Sequence, residues 1–304
     1  MNYYDVIVVG GGFAGVSAAM QIARARRKVL IIDEAKPRNR FAIAAHGLYG
    51  LDGKTIPQLR EIAQMQLANY PSLQWINAGA IDATKEDKNF TVKDSNGKTY
   101  QSKRLILATG VKDILPDIPG IAEKWGKTVL HCPYCHGYEV REKRLGIIAT
   151  SEASLHQAMI LPDWGDDIVL FTNNVIGKEN KLISELRHKN IRIITTPIAE
   201  LLGKGSNLDA IRLTDNSLVE RDAVFAISQV KQASNLPYIL GCPMEDGAFG
   251  AYIKTDNFKA TPIQGLYAAG DAARSMHNAT WAISDGVTAG IFTHQSLLKP
   301  QNRS

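Results

Sequence analysis

Residues 4–10, Tyr-Asp-Val-Ile-Val-Val-Gly, run as an apolar, β-favouring stretch straight into Gly10-Gly11-Gly12-Phe13-Ala14-Gly15. An alanine-rich, helix-favouring segment follows over residues 16–26. A strand, a tight glycine turn and a helix in that order leave little freedom to the rest of the chain. The spacing G-x-G-x-x-G lets the backbone approach a pyrophosphate and the helix pack close to the strand, while the helix N-terminus offers unsatisfied N–H groups to an anion. A second strand, residues 28–32, ends in Asp33, 23 residues after Gly10, where a dinucleotide fold places the acid that bonds a ribose hydroxyl. A turn without a ligand is the alternative, and strand, helix, second strand and acid in register argue against it.

The chain has 304 residues, room for two domains. Asp94-Ser95-Asn96-Gly97, between β-favouring residues 89–92 and 99–100, reads as a hairpin turn, and residues 104–108 read as a separate strand ending in Thr109-Gly110. Pro116, Pro119 and Gly120 then break the pattern, as do Gly241, Gly247 and Gly250 further on. Between them lies a second alternation: strands at 145–149, 168–171 and 191–194, helices at 153–161 and 181–189. Late in the chain, Gly265-Leu266-Tyr267-Ala268-Ala269-Gly270-Asp271 predicts a short strand entering a glycine-acid turn, with a helix from about Trp281.

The balance of 35 Lys+Arg against 30 Asp+Glu gives +5, but the basic residues are scattered, so no nucleic-acid footprint is expected and only a mild preference for acidic partners. With 45% hydrophobic and 21% charged residues, the composition excludes disordered, collagenous and disulfide-dense chains. No run approaches the roughly 18 apolar residues of a membrane span, and Met1-Asn2-Tyr3-Tyr4-Asp5 lacks the start of an export leader. A cytoplasmic protein without membrane partners is expected. In that compartment the pair Cys132-Pro133-Tyr134-Cys135 is catalytic or metal-binding before it is structural, and lone Cys242 is a small core residue. At a helix N-terminus such a pair has one acidified thiol and closes a disulfide with little strain. Cys132 to His136 also fit a c-type haem attachment, which requires export. Zinc held with His131 or His136 would lack a separated second ligand pair, so no metal is expected; inert buried thiols remain open.

Taken together, the N-terminal turn with Asp33, the Ala108-Thr109-Gly110 strand end, the cysteine pair and the late Ala269-Gly270-Asp271 resemble the flavin-dependent thioredoxin reductase family of low molecular mass, over essentially the whole chain. The resemblance implies an α/β fold of two Rossmann-like, three-layer domains, the second inserted in the first: 1–116 with 249–304 for FAD, and 117–248 carrying the redox pair. It implies FAD held by Gly10, Gly12, Phe13, Ala14, Gly15, Asp33, Arg38, Asn39, His46, Ala108, Thr109, Gly110, Gly270 and Asp271, with Trp281 stacking on the flavin or shielding it. Ordinary helix packing is the alternative for Trp281, and a solvated loop charge for Arg38. Cys135 is then the sulfur nearer the flavin and Cys132 the one that attacks a partner. Where the family carries an acid after the second cysteine, this chain has His136, expected as general acid/base, with Glu139 as a weaker candidate. Pro37-Arg38-Asn39-Arg40, His46-Gly47, Asp52-Gly53 and the run from Cys132 to Glu139 are similar to a branch acting on small dithiols, including the gliotoxin and holomycin enzymes. A homodimer is implied as well.

The chain departs from the family at the NADPH site. Residues 150–154, Thr-Ser-Glu-Ala-Ser, contain no glycine, and Phe171-Thr172-Asn173-Asn174 offers no arginine for a 2′-phosphate. NADPH is therefore expected to bind poorly, with ferredoxin or a second flavin as donor and a thioredoxin-like protein or a small dithiol or disulfide as partner. An NADPH-dependent reductase or an oxygen-dependent dithiol oxidase is the alternative, and a non-catalytic redox sensor the alternative of another class.

Overall fold

A computed structural model describes residues 3–177 and 179–298. They form two compact units, one comprising the chain up to Arg38, Pro57–Asp113 and the chain from Val230 on, the other Asn39–Ile56 and Ile114–Gln229. The first unit opens with β1 (Tyr3–Val9), α1 (Phe13–Arg24), β2 (Val29–Asp33), α2 (Ile56–Leu67), β3 (Leu73–Asn77), β4 (Ala80–Glu86), β5 (Asn89–Asp94), β6 (Thr99–Leu107) and β7 (Val111–Ile114). Strands β3, β2, β1 and β6 lie side by side in parallel, and β6, β5 and β4 continue as an antiparallel meander.

The two halves of β6 show why its sequence misleads. The first half pairs with β5 and alternates buried with half-exposed residues, as a strand with one wet face does, whereas Arg104 to Leu107 are buried throughout. The polar residues between Tyr100 and Leu105 therefore belong to one strand and not to a loop between two. Arg104 is accommodated by Ser296, whose Oγ and carbonyl each accept from the guanidinium at 2.8 Å.

The second unit contains α3 (Ile121–Lys124), β8 (Val129–Leu130), α4 (Pro133–His136), β9 (Leu145–Ile148), α5 (Ala153–Ile160), β10 (Ile168–Phe171), α6 (Lys181–His188), β11 (Arg192–Ile194), β12 (Ile198–Leu202), β13 (Ala210–Leu213), β14 (Leu218–Glu220) and β15 (Ala223–Ala226). Its parallel sheet has the order β11-β10-β9-β15-β8, with β12-β13-β14 as a separate antiparallel sheet. β9, β10 and β15 are buried along their whole length, since both faces are covered.

The chain then adds β16 (Gln229–Gln232), α7 (Leu236–Ile239), β17 (Met244–Glu245), β18 (Tyr252–Ile253), β19 (Leu266–Ala268) and α8 (Ala279–Leu298). β16 pairs with β7, and Val230 N–H donates to Phe249 O at 2.7 Å, so the return to the first unit falls at Val230 and precedes the glycines at 241–250. β19 extends the parallel sheet beyond β6. α8 is capped by Asn278, whose Oδ1 accepts the Thr280 N–H at 2.8 Å. It lies hard against α1: a Cβ on Gly286 would be 2.1 Å from Ala14 O, and one on Gly290 2.6 Å from Ala18 O. Small residues one turn apart on each helix permit this approach. No helix among the described residues is long and apolar enough to cross a membrane.

Gly286→Val is expected to lower stability by about 1–3 kcal/mol, because added carbons in a closed contact force the helices apart. Urea unfolding monitored by circular dichroism checks this, and an unchanged midpoint would contradict the close packing.

Candidate functional site

In the first unit, β1, β6 and β19 are parallel, so their C-terminal ends open on one edge of the sheet. Ala108 N–H donates to Val9 O (2.9 Å) and Ala269 N–H to Leu107 O (3.0 Å), which sets the three following turns side by side. A Cβ on Gly10 would lie 2.3 Å from Ala108 O, one on Gly15 1.8 Å from Gly10 O, and one on Gly270 2.8 Å from the Ala14 Cβ. These glycines are contacts between turns. Gly12 and Gly110 differ: a Cβ there would meet nothing within 4 Å, so both border open space. No side chain caps α1 at Gly12, which leaves the first N–H groups of the helix, around Phe13 and Ala14, available to an anion. Beside them Thr109 Oγ1 is buried with no hydrogen-bond partner. Open glycines, an uncapped helix and an orphaned hydroxyl suit the pyrophosphate of a dinucleotide.

Asp33 is 8% exposed and accepts the Gly11 N–H at 2.9 Å. Its other oxygen is paired with Arg60, whose guanidinium also donates to Asn77 Oδ1 at 2.8 Å and lies 5.1 Å from the centre of the Trp75 ring. A carboxylate keeps further lone pairs, so ribose hydroxyls can join these donors. Arg60 and Trp75 have no motif to announce them. Gly11 carries the only local signal, because a Cβ there would strike Trp75 at 2.5 Å and Asp33 at 2.7 Å.

Arg38 and Asp271, far apart in sequence, meet at 3.4 Å. The stronger partner of Arg38 is Asp113, which accepts from Nη2 at 2.6 Å and from Nε at 3.1 Å. Arg38 Nη1 reaches His277 Nδ1 at 2.8 Å, and since a guanidinium only donates, the His277 proton sits on Nε2. Burial pushes the Asp271 carboxyl up against the pull of Arg38. Burial and the neighbouring Arg38 charge together pull His277 down to about 4. Trp281 is 44% exposed at the start of α8, with the Arg274 guanidinium 4.9 Å from its ring centre.

Asn39 and His46 belong to the second unit. Cys132, directly before α4, and Cys135, inside it, are half-buried. Their helix is a single turn: the Cys135 and His136 N–H groups both point at Cys132 O, 3.2 Å away. One turn carries little macrodipole, so this helix start adds little to the chemistry of the pair. Gly137 closes the turn where a Cβ would lie 2.8 Å from Trp164, and Tyr134 stands edge-on to that ring at 5.4 Å. His136 is pulled below the ordinary histidine range by burial and by His46, against the opposing charge of Glu139. Its ring is therefore neutral at neutral pH and accepts a proton before it donates one. Cys242 is 7% exposed, and burial pushes its thiol up to about 11.

Between β9 and α5, Thr150 N–H donates to Ser154 Oγ (3.1 Å) and Thr150 Oγ1 to Ile227 O (2.7 Å), while Ser154 is fully buried. After β10, Asn173 Oδ1 accepts the Ile198 N–H at 3.0 Å.

The first unit thus has the architecture and the phosphate turn of a dinucleotide-binding domain, and the second carries a C-x-x-C cysteine pair. The profile of the pyridine nucleotide-disulphide oxidoreductases matches residues 4–286. Thioredoxin reductase tcpT of Claviceps purpurea (strain 20.1) is 32% identical over 314 residues, covering 99% of this chain and 96% of that protein. Thioredoxin reductase sirT of Leptosphaeria maculans is 28% identical, covering 95% and 93%. A solved oxidoreductase from Agrobacterium tumefaciens is 38% identical, with a TM-score of 0.93 over 99% of this chain and 100% of that one. The chain belongs to the pyridine nucleotide-disulphide oxidoreductase family and is thioredoxin reductase-like within it. It is an enzyme of that class, and FAD is its cofactor.

The depressed His277 gives a signed pH dependence. The unfolded chain takes up its proton near the ordinary value of about 6.5, whereas the folded protein resists until about 4. Stability from this group is complete above the upper value and lost as pH falls through the lower one. His277→Asn is expected to lose less stability than wild type across that window and to run parallel above it; parallel curves throughout would contradict the assignment.

Proposed function

We propose that this protein is an FAD-dependent thiol-disulfide oxidoreductase that works through Cys132 and Cys135 on a thioredoxin-like protein and draws its electrons from a donor other than NADPH. The N–H groups at Gly12, Phe13, Ala14 and Gly15, with Thr109 and Gly110, would hold the pyrophosphate, and Asp33 the adenosine ribose. Arg38, Asp113 and Asp271 would fix the opposite end of the crevice. FAD held there supplies or receives the electron pair that opens or closes the Cys132–Cys135 bond.

The remaining steps use the chain's own groups. Neutral His136 takes the proton from the Cys132 thiol, and the thiolate attacks one sulfur of the partner disulfide; that S–S bond breaks as a mixed disulfide forms. The leaving sulfur takes a proton from His136. Cys135 then gives its proton to His136 as its Sγ attacks Cys132 Sγ; the mixed disulfide breaks, the internal disulfide closes, and the second partner sulfur takes that proton and leaves as a thiol. Run backwards, the same exchanges oxidise a small dithiol, the chemistry of the gliotoxin-type branch.

The observation that carries the donor assignment is the turn before α5. Where a pyrophosphate needs free backbone N–H groups, Thr150 is bonded to Ser154, and Thr150 Oγ1 ties the turn to Ile227. Glu152 adds a carboxylate at the same place, and Asn173 is engaged in holding Ile198. Ferredoxin is the donor we favour, because an acidic carrier suits a chain of net charge +5; a second flavin in the altered crevice is the other form of this reading. We further propose a cytoplasmic protein, since a reactive cysteine pair suits a reducing compartment, and a homodimer, since the family resemblance suggests one.

The test is an anaerobic titration of the flavin absorbance with NADPH, NADH and reduced ferredoxin. Bleaching by ferredoxin and not by either nicotinamide is expected. Rapid bleaching by NADPH would contradict the reading of the turn and restore an ordinary reductase, while bleaching by no donor would favour a sensor.

A further inference from the structure

Asp33 stands where two demands conflict. Its Oδ1 accepts the Gly11 N–H at 2.9 Å, so the carboxylate is fastened one residue before Gly12, where α1 begins without a side-chain cap. The proposed function puts a pyrophosphate at that uncapped start. A carboxylate and a diphosphate on consecutive residues of one turn repel each other, and Asp33 is buried, so water screens the repulsion poorly.

Arg60, in the second turn of α2, supplies the opposite charge, and its guanidinium makes three contacts at once. Nη1 is paired with Asp33 Oδ2, Nη2 donates to Asn77 Oδ1 at 2.8 Å, and the group lies 5.1 Å from the centre of the Trp75 ring. Asp33 and Asn77 are register partners at the ends of β2 and β3, so Arg60 straddles two strand ends of the first unit. Trp75 leaves its indole N–H buried and unbonded, so the ring serves through its face and not through its donor. The neighbouring acid takes no share of this cation: Glu34 is paired with Lys36 at 2.5 Å, both side chains exposed. A tie of α2 to the sheet is the ordinary reading of such a pair. A tie requires neither a carboxylate bonded into the glycine turn nor an indole that forgoes its hydrogen bond.

We propose that Arg60 determines FAD affinity by neutralising Asp33 and holding it against Gly11, so that one turn accepts the adenosine ribose and the pyrophosphate together. This rests on the pyrophosphate lying at Gly12, as in the function proposed above. Arg60 acts through Asp33, so it is a positioning residue and touches no reacting atom.

The test measures FAD release from the full-length holoenzyme on serial dilution, read as the change in flavin fluorescence, at low and high salt. Arg60→Gln is expected to weaken FAD binding about thirtyfold, the scale of a partly buried charge left uncompensated. Added salt should narrow its gap from wild type, because it screens the repulsion. Arg60→Lys keeps the charge and should stay within about threefold of wild type, although an ammonium lacks the planar fork. Asp33→Asn combined with Arg60→Gln should bind FAD about fivefold more tightly than Arg60→Gln alone, since removing the carboxylate removes the conflict. Wild-type affinity in Arg60→Gln would overturn the proposal. So would an Arg60→Lys as weak as the thirtyfold loss, or a double variant weaker than Arg60→Gln, since either marks a merely structural tie. Gly12→Asp tests the reading beneath it: Gly12 has φ −80° and open space at its Cβ position, so an aspartate fits, caps α1 and sets a carboxylate where the pyrophosphate belongs. Loss of FAD from Gly12→Asp is expected. Retention there would refute the pyrophosphate placement itself, whereas loss there with full affinity in Arg60→Gln would overturn the role of Arg60 alone.

Discussion

The contact between Gly15 and the Gly10 carbonyl fixes the first unit, because any side chain on Gly15 would lie 1.8 Å from that oxygen. It brings α1 down onto the end of β1 and leaves the uncapped helix start facing open space at Gly12. The same closeness is repeated outward: Ala14 touches the turn at Gly270, and α8 closes on α1 through Gly286 and Gly290. One missing Cβ thus positions both the anion-binding end of the helix and the acid turn that carries Asp271. The fold and the cofactor crevice are consequences of the same steric fact.

The second unit repeats the strand-turn-helix plan without that device. Its turn closes on itself through Thr150, Ser154 and Ile227, so hydroxyls satisfy the backbone where glycine would have left it to a phosphate. Two similar sheets thus end in different turns, one left open by glycines at the start of α1 and one in which the Thr150 N–H and hydroxyl are engaged within the unit. The same sheet carries the half-buried cysteine pair, which begins one residue beyond β8, its edge strand.

Much of this is legible in the sequence because the signals are local. The glycine spacing, the acid ending β2 and the alternation over residues 145–194 each depend on neighbours in the chain, and β10 falls on the expected residues. What is not legible depends on distant partners. Asp113 looks like an ordinary charge in a short strand until Arg38 is placed against it. Arg60 and Trp75 gain meaning only beside Asp33 and Gly11, and β6 reads as two pieces because its partners change halfway along. His46 illustrates the limit best: its neighbours Gly47 and Asp52 are visible in sequence, whereas Glu139 arrives from 93 residues away.

The central claim is that electrons on the flavin reach Cys132 and Cys135 and no other cysteine. It is tested without any choice of donor by photoreducing the FAD-loaded protein anaerobically, alkylating it, and mapping the labelled cysteines by mass spectrometry against an unreduced control. The account predicts new labelling at Cys132 and Cys135 together, with Cys242 protected by burial and a thiol raised to about 11. A fully bleached flavin with no new labelling at either member of the pair would contradict it.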